Sequence, residues 1–224
     1  MKTIIQTPTP NLDESISFYG KLNFEIQQKE NGAYAIAGSL IIDINTDRMS
    51  RAGIKFCTSN SDTVLEGKNV NVIPVNDKSK LVVSPTGCPV YFEDANVPAI
   101  NTNEPVTGNF MGLSLETSKM DEEIVFWEKF DFKQTAGNPS QGWVSLTNSS
   151  GFGVSLMNYQ CCPHLFFNPS LTFFNGENNL KIIDQINNLN IAVTEEITVF
   201  NEDNIVDNII IRDPGGLGYF LFSD

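Results

Sequence analysis

Near the start of the chain a short strand-like run, Met1 to Ile5, gives way to Asn11-Leu12-Asp13-Glu14-Ser15-Ile16-Ser17-Phe18-Tyr19. Leu12, Ile16 and Tyr19 fall at i, i+4 and i+7, the spacing of one helix face. Asn11 with Glu14 is an N-cap signature, because each side chain can satisfy an otherwise unpaired backbone N–H. Three strand-like runs follow, Phe24-Glu25-Ile26, Tyr34-Ala35-Ile36 and Leu40-Ile41-Ile42-Asp43-Ile44, broken by Asn31-Gly32 and Gly38. The order is β-α-β-β-β.

That order recurs. A strand from Met111 to Leu115 leads into Ser118-Lys119-Met120-Asp121, again a cap candidate, and Met120, Ile124 and Trp127 repeat the helical face. Strand runs follow at 142–146 and 152–156. Two less regular copies open at Gly53-Ile54-Lys55-Phe56-Cys57 and at Ser170-Leu171-Thr172-Phe173-Phe174. The last places strands at 191–194, 198–200, 209–211 and 219–222. Four βαβββ modules result, at residues 1–46, 52–95, 110–158 and 166–224. The Pro-, Asn- and Thr-rich stretch from Asn96 to Gly108 reads as the linker between two pairs.

Composition narrows the picture. With 41% hydrophobic and 18% charged residues the chain can build a packed core and is not a disordered one. Sixteen Phe residues either fill that core or line an apolar pocket. A net charge of −13 repels phosphate backbones and argues against nucleic-acid binding. No apolar run approaches the ~18 residues that span a bilayer. The opening residues read as a strand and not as a signal peptide. The expectation is a cytoplasmic protein, monomer or homodimer, whose four cysteines stay reduced and whose partner is a small molecule.

The repeated βαβββ order, together with the Leu-Asp-x-Ser-Ile-x-Phe-Tyr helix, resembles the vicinal-oxygen-chelate superfamily of glyoxalases, bleomycin-resistance proteins and extradiol dioxygenases. Arg212-Asp213-Pro214-Gly215-Gly216-Leu217-Gly218-Tyr219 is similar to that family's Asp-Pro-x-Gly turn before its final strand, and Ser84-Pro85-Thr86-Gly87 to a weaker version of it. Pro fixes φ in such a turn and Gly permits positive φ. The resemblance implies an α+β fold in which the four modules form two paired-module domains, 1–100 and 105–224. Each would curl a mixed sheet around a cavity.

The family's metal site takes a ligand from each opening strand and a carboxylate from each closing strand. Laid on this sequence, those positions fall on Ile4, Asp43, Gly53 and Tyr91 in the first pair, and on Gly112, Ser155, Ser170 and Phe220 in the second. Asp43 alone suits a hard metal, and a metal site needs several converging donors. The single histidine, His164, lies outside the ligand register. The expectation is therefore no metal and no cofactor. Cys161-Cys162-Pro163-His164 reads as an ordinary loop, because adjacent residues of an extended chain point to opposite sides. Trp127 and Trp143 read as core.

Strand alternation places Gly112, Ser114 and Glu116 on one face, and Ser170 and Thr172 on another. Ser114, Glu116, Ser155, Ser170, Thr172 and Phe220 are the candidate ligand-binding set of the second cavity. Asp43, Lys55 and Tyr91 are that of the first, with Asp43 and Lys55 as a possible ion pair. Glu116 is either a ligand contact or an edge residue. The resemblance leaves three classes of function: a metal-free protein that binds a small, partly apolar molecule, a metal-dependent lyase, isomerase or dioxygenase, and an interaction module. The missing ligands favour the first.

Overall fold

A computed structural model describes residues 1–223. The first module runs β1 (Lys2–Pro8), α1 (Leu12–Lys21), β2 (Glu25–Lys29), β3 (Gly32–Ala37) and β4 (Leu40–Asn45). Asn11 caps α1, its side chain accepting from the N–H groups of Asp13 and Glu14. The helix buries Ser15 and Tyr19 and stops at Leu22, beyond which Asn23 turns the chain with φ 68°. A two-residue loop, Gly38-Ser39, joins β3 to β4, and Gly38 supplies the positive φ of 57° that such a tight hairpin needs.

The second module is β5 (Gly53–Thr58), α2 (Ser61–Leu65), β6 (Ile73–Asn76), β7 (Ser79–Val83) and β8 (Pro89–Asp94). The third is β9 (Phe110–Thr117), α3 (Met120–Glu128), β10 (Phe132–Asn138), β11 (Trp143–Asn148) and β12 (Gly153–Asn158). The fourth is β13 (Ser170–Phe174), α4 (Asn179–Asn188), β14 (Val193–Ile197), β15 (Asn208–Arg212) and β16 (Gly218–Phe222).

Each half forms one eight-stranded mixed sheet, in the orders β2-β3-β4-β1-β5-β8-β7-β6 and β10-β11-β12-β9-β13-β16-β15-β14. The orders are the same element for element. In both, an opening strand lies parallel to its own module's closing strand and antiparallel to the other module's opening strand. The fold is α+β, as the resemblance implied.

Three local readings change. β10 was not expected, because Phe132-Lys133-Gln134-Thr135-Ala136-Gly137-Asn138 buries only its first residue and so lacks an apolar alternation. Residues 198–200, expected as a strand, form a turn after β14, and Val199 and Phe200 are exposed. Helix α3 takes no side-chain cap from Ser118 or Lys119, and Thr117 Oγ1 instead accepts from the Lys119 N–H at 2.8 Å.

One face of each sheet carries the helices, and those faces share a single apolar core. Phe130 shows the continuity, its ring lying 5.9 Å from Phe56 and 5.1 Å from Phe92 across the two halves. Each such aromatic pair is worth ~0.5–1.5 kcal/mol beyond its buried area.

Two buried polar knots stitch the halves together. The Asp213 carboxylate accepts from Thr7 Oγ1 at 2.7 Å, Tyr19 Oη at 2.8 Å and the Leu217 N–H at 2.8 Å. Burial raises the Asp213 carboxyl above its ordinary value, while these donors partly pull it back. On the other side Glu123 of α3 accepts from Ser84 Oγ at 2.7 Å, the Thr86 N–H at 2.6 Å and Trp127 Nε1 at 2.7 Å, and also from Thr86 Oγ1. The two proline turns thus serve the same joint, with the acid on the turn in one case and on the helix in the other. No helix among the described residues is long and apolar enough to cross a membrane.

Candidate functional site

The sheet faces turned away from the helices carry the candidate residues. In the second half, alternation sends Leu113, Leu115, Val154, Leu156, Leu171, Phe173, Tyr219 and Leu221 into the core. Their neighbours Ser114, Ser155, Thr172, Phe220 and Phe222 therefore point the other way, and they line a cavity of about 340 Å³. Trp143, Ser145 and Met157 join them from β11 and β12, and His164 and Phe166 from the loop before β13.

The floor of this cavity is made of hydroxyls that bond one another. Ser114 Oγ lies 2.6 Å from Thr172 Oγ1, and Ser145 Oγ lies 3.0 Å from Ser155 Oγ. The walls are aromatic. Phe220 stacks on Phe222 at 5.5 Å with the planes 7° apart, and Phe166 and His164 meet Phe220 edge-on at 4.9 and 5.3 Å. His164 Nδ1 is held 2.8 Å from the Leu165 carbonyl oxygen.

Gly112 lines this cavity for a backbone reason. Its φ is +141°, and a Cβ there would lie 2.4 Å from the Gly153 carbonyl oxygen, so only glycine lets β9 and β12 approach. Ser170, fully buried, donates to the Phe167 carbonyl and does not reach the lining. Glu116 is 7% exposed and also stands off the lining, its carboxylate lying among Cys161 and Cys162. Burial first, then Cys161, pushes the Cys162 thiol up to about 12.

In the first half the equivalent face is polar. Asp43 pairs across the sheet with Gln6, and Lys55 with Tyr91. The Lys55 ammonium bridges the carboxylates of Asp43 and Glu93, and Lys29 ion-pairs with the other oxygen of Asp43. That second oxygen, Oδ1, has the charge of Lys29 beside it but receives no well-directed hydrogen bond. Burial alone would lower the Lys55 pKa, but the two carboxylates outweigh it and hold the ammonium above its ordinary value. Tyr91 Oη donates to the Met49 carbonyl at 2.9 Å and accepts from the Arg51 N–H at 3.0 Å, which pins the loop between β4 and β5. Gln6, Lys29, Asn45, Lys55, Tyr91 and Glu93 border an open cavity of about 720 Å³.

Gln6, Lys29 and Glu93 were not singled out from sequence. Glu93 follows Tyr91 by one strand period, and Gln6 follows Ile4 likewise, so alternation offered a signal for both. Ile4 itself packs with Ile36, Ile41 and Cys57. Trp127 is core as expected, whereas Trp143 is 43% exposed and lines the second cavity.

No family model matches the sequence, and neither does any curated protein. Solved structures do match in fold. Catechol 2,3-dioxygenase superposes with a TM-score of 0.56 at 11% identity, over 97% of this chain and 85% of that one. The 2,3-dioxygenase LapB from Pseudomonas sp. KL28 gives 0.59 at 15% identity, over 97% and 89%. A Mn(II)-bound glyoxalase from Novosphingobium aromaticivorans gives 0.60 at 12%, over 97% and 79%. The chain thus has the paired-module fold that these dioxygenases and this glyoxalase share. At these identities the likeness is one of fold, and fold alone does not fix function.

Proposed function

We propose that this chain is a binding protein that holds a small, flat, partly apolar molecule in the second-half cavity, and that it does so without the superfamily's metal. The aromatic ring of Trp143, Phe166, Phe220 and Phe222 around a hydroxyl floor carries the reading. Small-molecule pockets combine apolar walls with a few polar groups, and about 340 Å³ lies within their usual range. Faces of this kind also attract a cationic group by ~0.5–2 kcal/mol.

The donor set does not fit a hard-metal centre. Gly112, Ser155, Ser170 and Phe220 stand at the second half's ligand positions, and they offer at most weak hydroxyl donors. In the first half Asp43 already faces two ammonium groups, so the charge a cation would supply is present in Lys29 and Lys55. A metal-dependent lyase or dioxygenase reading would need donors that neither cavity assembles at these positions.

Trp143 is a built-in reporter, because Trp127 is fully buried and remote from solvent. Titrating a panel of small neutral and cationic aromatics against intrinsic fluorescence is expected to give at least one saturable change. Ser155→Trp, which fills the floor, should abolish it. Trp143→Phe should silence the optical signal while calorimetry still detects binding. A panel without a saturable response, or a response unchanged in Ser155→Trp, would refute the reading.

A further inference from the structure

Beside the aromatic cavity lies a group of side chains that this binding role does not use. Glu116 closes the lining face of β9, and the loop after β12 returns against it. Tyr159 N–H donates to the Thr117 carbonyl at 3.0 Å and Cys161 N–H to the Asn158 carbonyl at 3.1 Å. Between them Gln160 takes φ 60°, which bends the chain. Adjacent cysteines of a straight strand would point apart, but this bend brings the Cys161 and Cys162 sulfurs within 3.8 Å of each other.

The two sulfurs and a carboxylate oxygen of Glu116 all lie within 4.8 Å of one another. Met157 adds a thioether 3.6 Å from the Cys162 sulfur. Glu116 is 7% exposed, and no hydrogen bond or ion pair among the described residues reaches its carboxylate. The residue is largely buried and its carboxylate has no protein partner among the described residues, so a bound cation would supply one.

We propose that Glu116, Cys161 and Cys162 form a binding site for a soft-to-borderline divalent cation of the Zn²⁺ and Cd²⁺ class, at the rim of the aromatic cavity. Two thiolates and a carboxylate carry three negative charges, which a divalent ion largely offsets. Sulfur donors select against Mg²⁺ and Ca²⁺, and three protein donors leave a position open, as in zinc sites that keep one for an exogenous ligand. Cys162 and Met157 also line the cavity, so the site borders it. The site is separate from the superfamily's metal positions. It draws on the loop between the third and fourth modules and stands whether or not the cavity binds an aromatic molecule.

The experiment is a Cd²⁺ titration of the reduced chain in excess Mg²⁺, followed by calorimetry and by the ultraviolet cadmium–thiolate charge-transfer band. One Cd²⁺ per chain is expected, with Zn²⁺ competing for it. Cys161→Ser, at an exposed position that the fold tolerates, should remove most of the band, and Cys161→Ser/Cys162→Ser all of it. Glu116→Gln should weaken binding, because a neutral amide is a poorer donor to the cation than a carboxylate, whereas Cys57→Ser/Cys88→Ser should leave it unchanged. The proposal is overturned if the parent shows no band, if the band survives the double substitution at 161 and 162, or if Glu116→Gln binds with parent affinity.

Discussion

Lys55 lies between two carboxylates in the first half and is 2% exposed, so its loss would strand buried charge. Lys55→Met should destabilise the protein by about 3–5 kcal/mol, the usual cost of breaking a buried pair from one side. Asp43→Leu/Lys55→Met should recover part of that loss, because the fully buried Asp43 charge goes with it while Glu93 and Lys29, each about a quarter exposed, keep contact with solvent. Urea denaturation of the three proteins checks this, and a Lys55→Met loss under ~1 kcal/mol would contradict it. Burial alone would lower the Lys55 pKa, yet the Asp43 and Glu93 carboxylates hold it above its ordinary value. Its contribution is therefore complete below the unfolded lysine value of about 10.4, and is lost only as pH rises through the higher folded value. The possible pairing of Asp43 with Lys55 was legible from their shared face. The roles of Lys29 and Glu93 depended on side-chain reach from strands distant in sequence, which periodicity does not encode.

At the scale of elements, the two best-patterned helices start differently. Asn11 Oδ1 accepts from Asp13 and Glu14 N–H groups at 3.1 and 3.4 Å. Asn11→Ala should cost about 1 kcal/mol. Ser118→Ala should cost nearly nothing, because Thr117 and not Ser118 holds the start of α3. Denaturation midpoints of the two variants discriminate the assignments, and equal losses would count against them. Strand β10 escaped the sequence reading because six of its seven residues are not buried, so no apolar alternation marks it. Its identity comes from the ladder with β11. Conversely, Thr198-Val199-Phe200 has strand composition but no partner strand, and composition without a partner does not make a strand.

Over the whole molecule, the shared core and the two polar knots tie the halves into one unit. Glu123 receives four donors, Ser84 Oγ, Thr86 N–H, Thr86 Oγ1 and Trp127 Nε1. Glu123→Gln sets an amide N–H against some of them and should cost roughly 2–4 kcal/mol. Far-ultraviolet circular dichroism and the fluorescence of buried Trp127 should still report one coincident unfolding transition, in the parent and in the variant. Two separated transitions in the parent would show that the halves fold independently and that the joint contributes little.

The sequence by itself determined the module order, the shared lining face of Gly112 and Ser114, and the scarcity of metal donors, since these follow from periodicity and residue inventory, while the resemblance supplied the α+β class. Tertiary structure decided the rest. It turned the Asp-Pro-Gly-Gly turn into a buried joint between halves and assigned Trp143 and Phe222 to a cavity wall. It also filled the first-half face with ion pairs, and bent Cys161-Cys162 so that both sulfurs meet Glu116. In each of these cases the partners lie on separate strands or loops, and only the packing of the two sheets and their connecting loops fixes the distance between them.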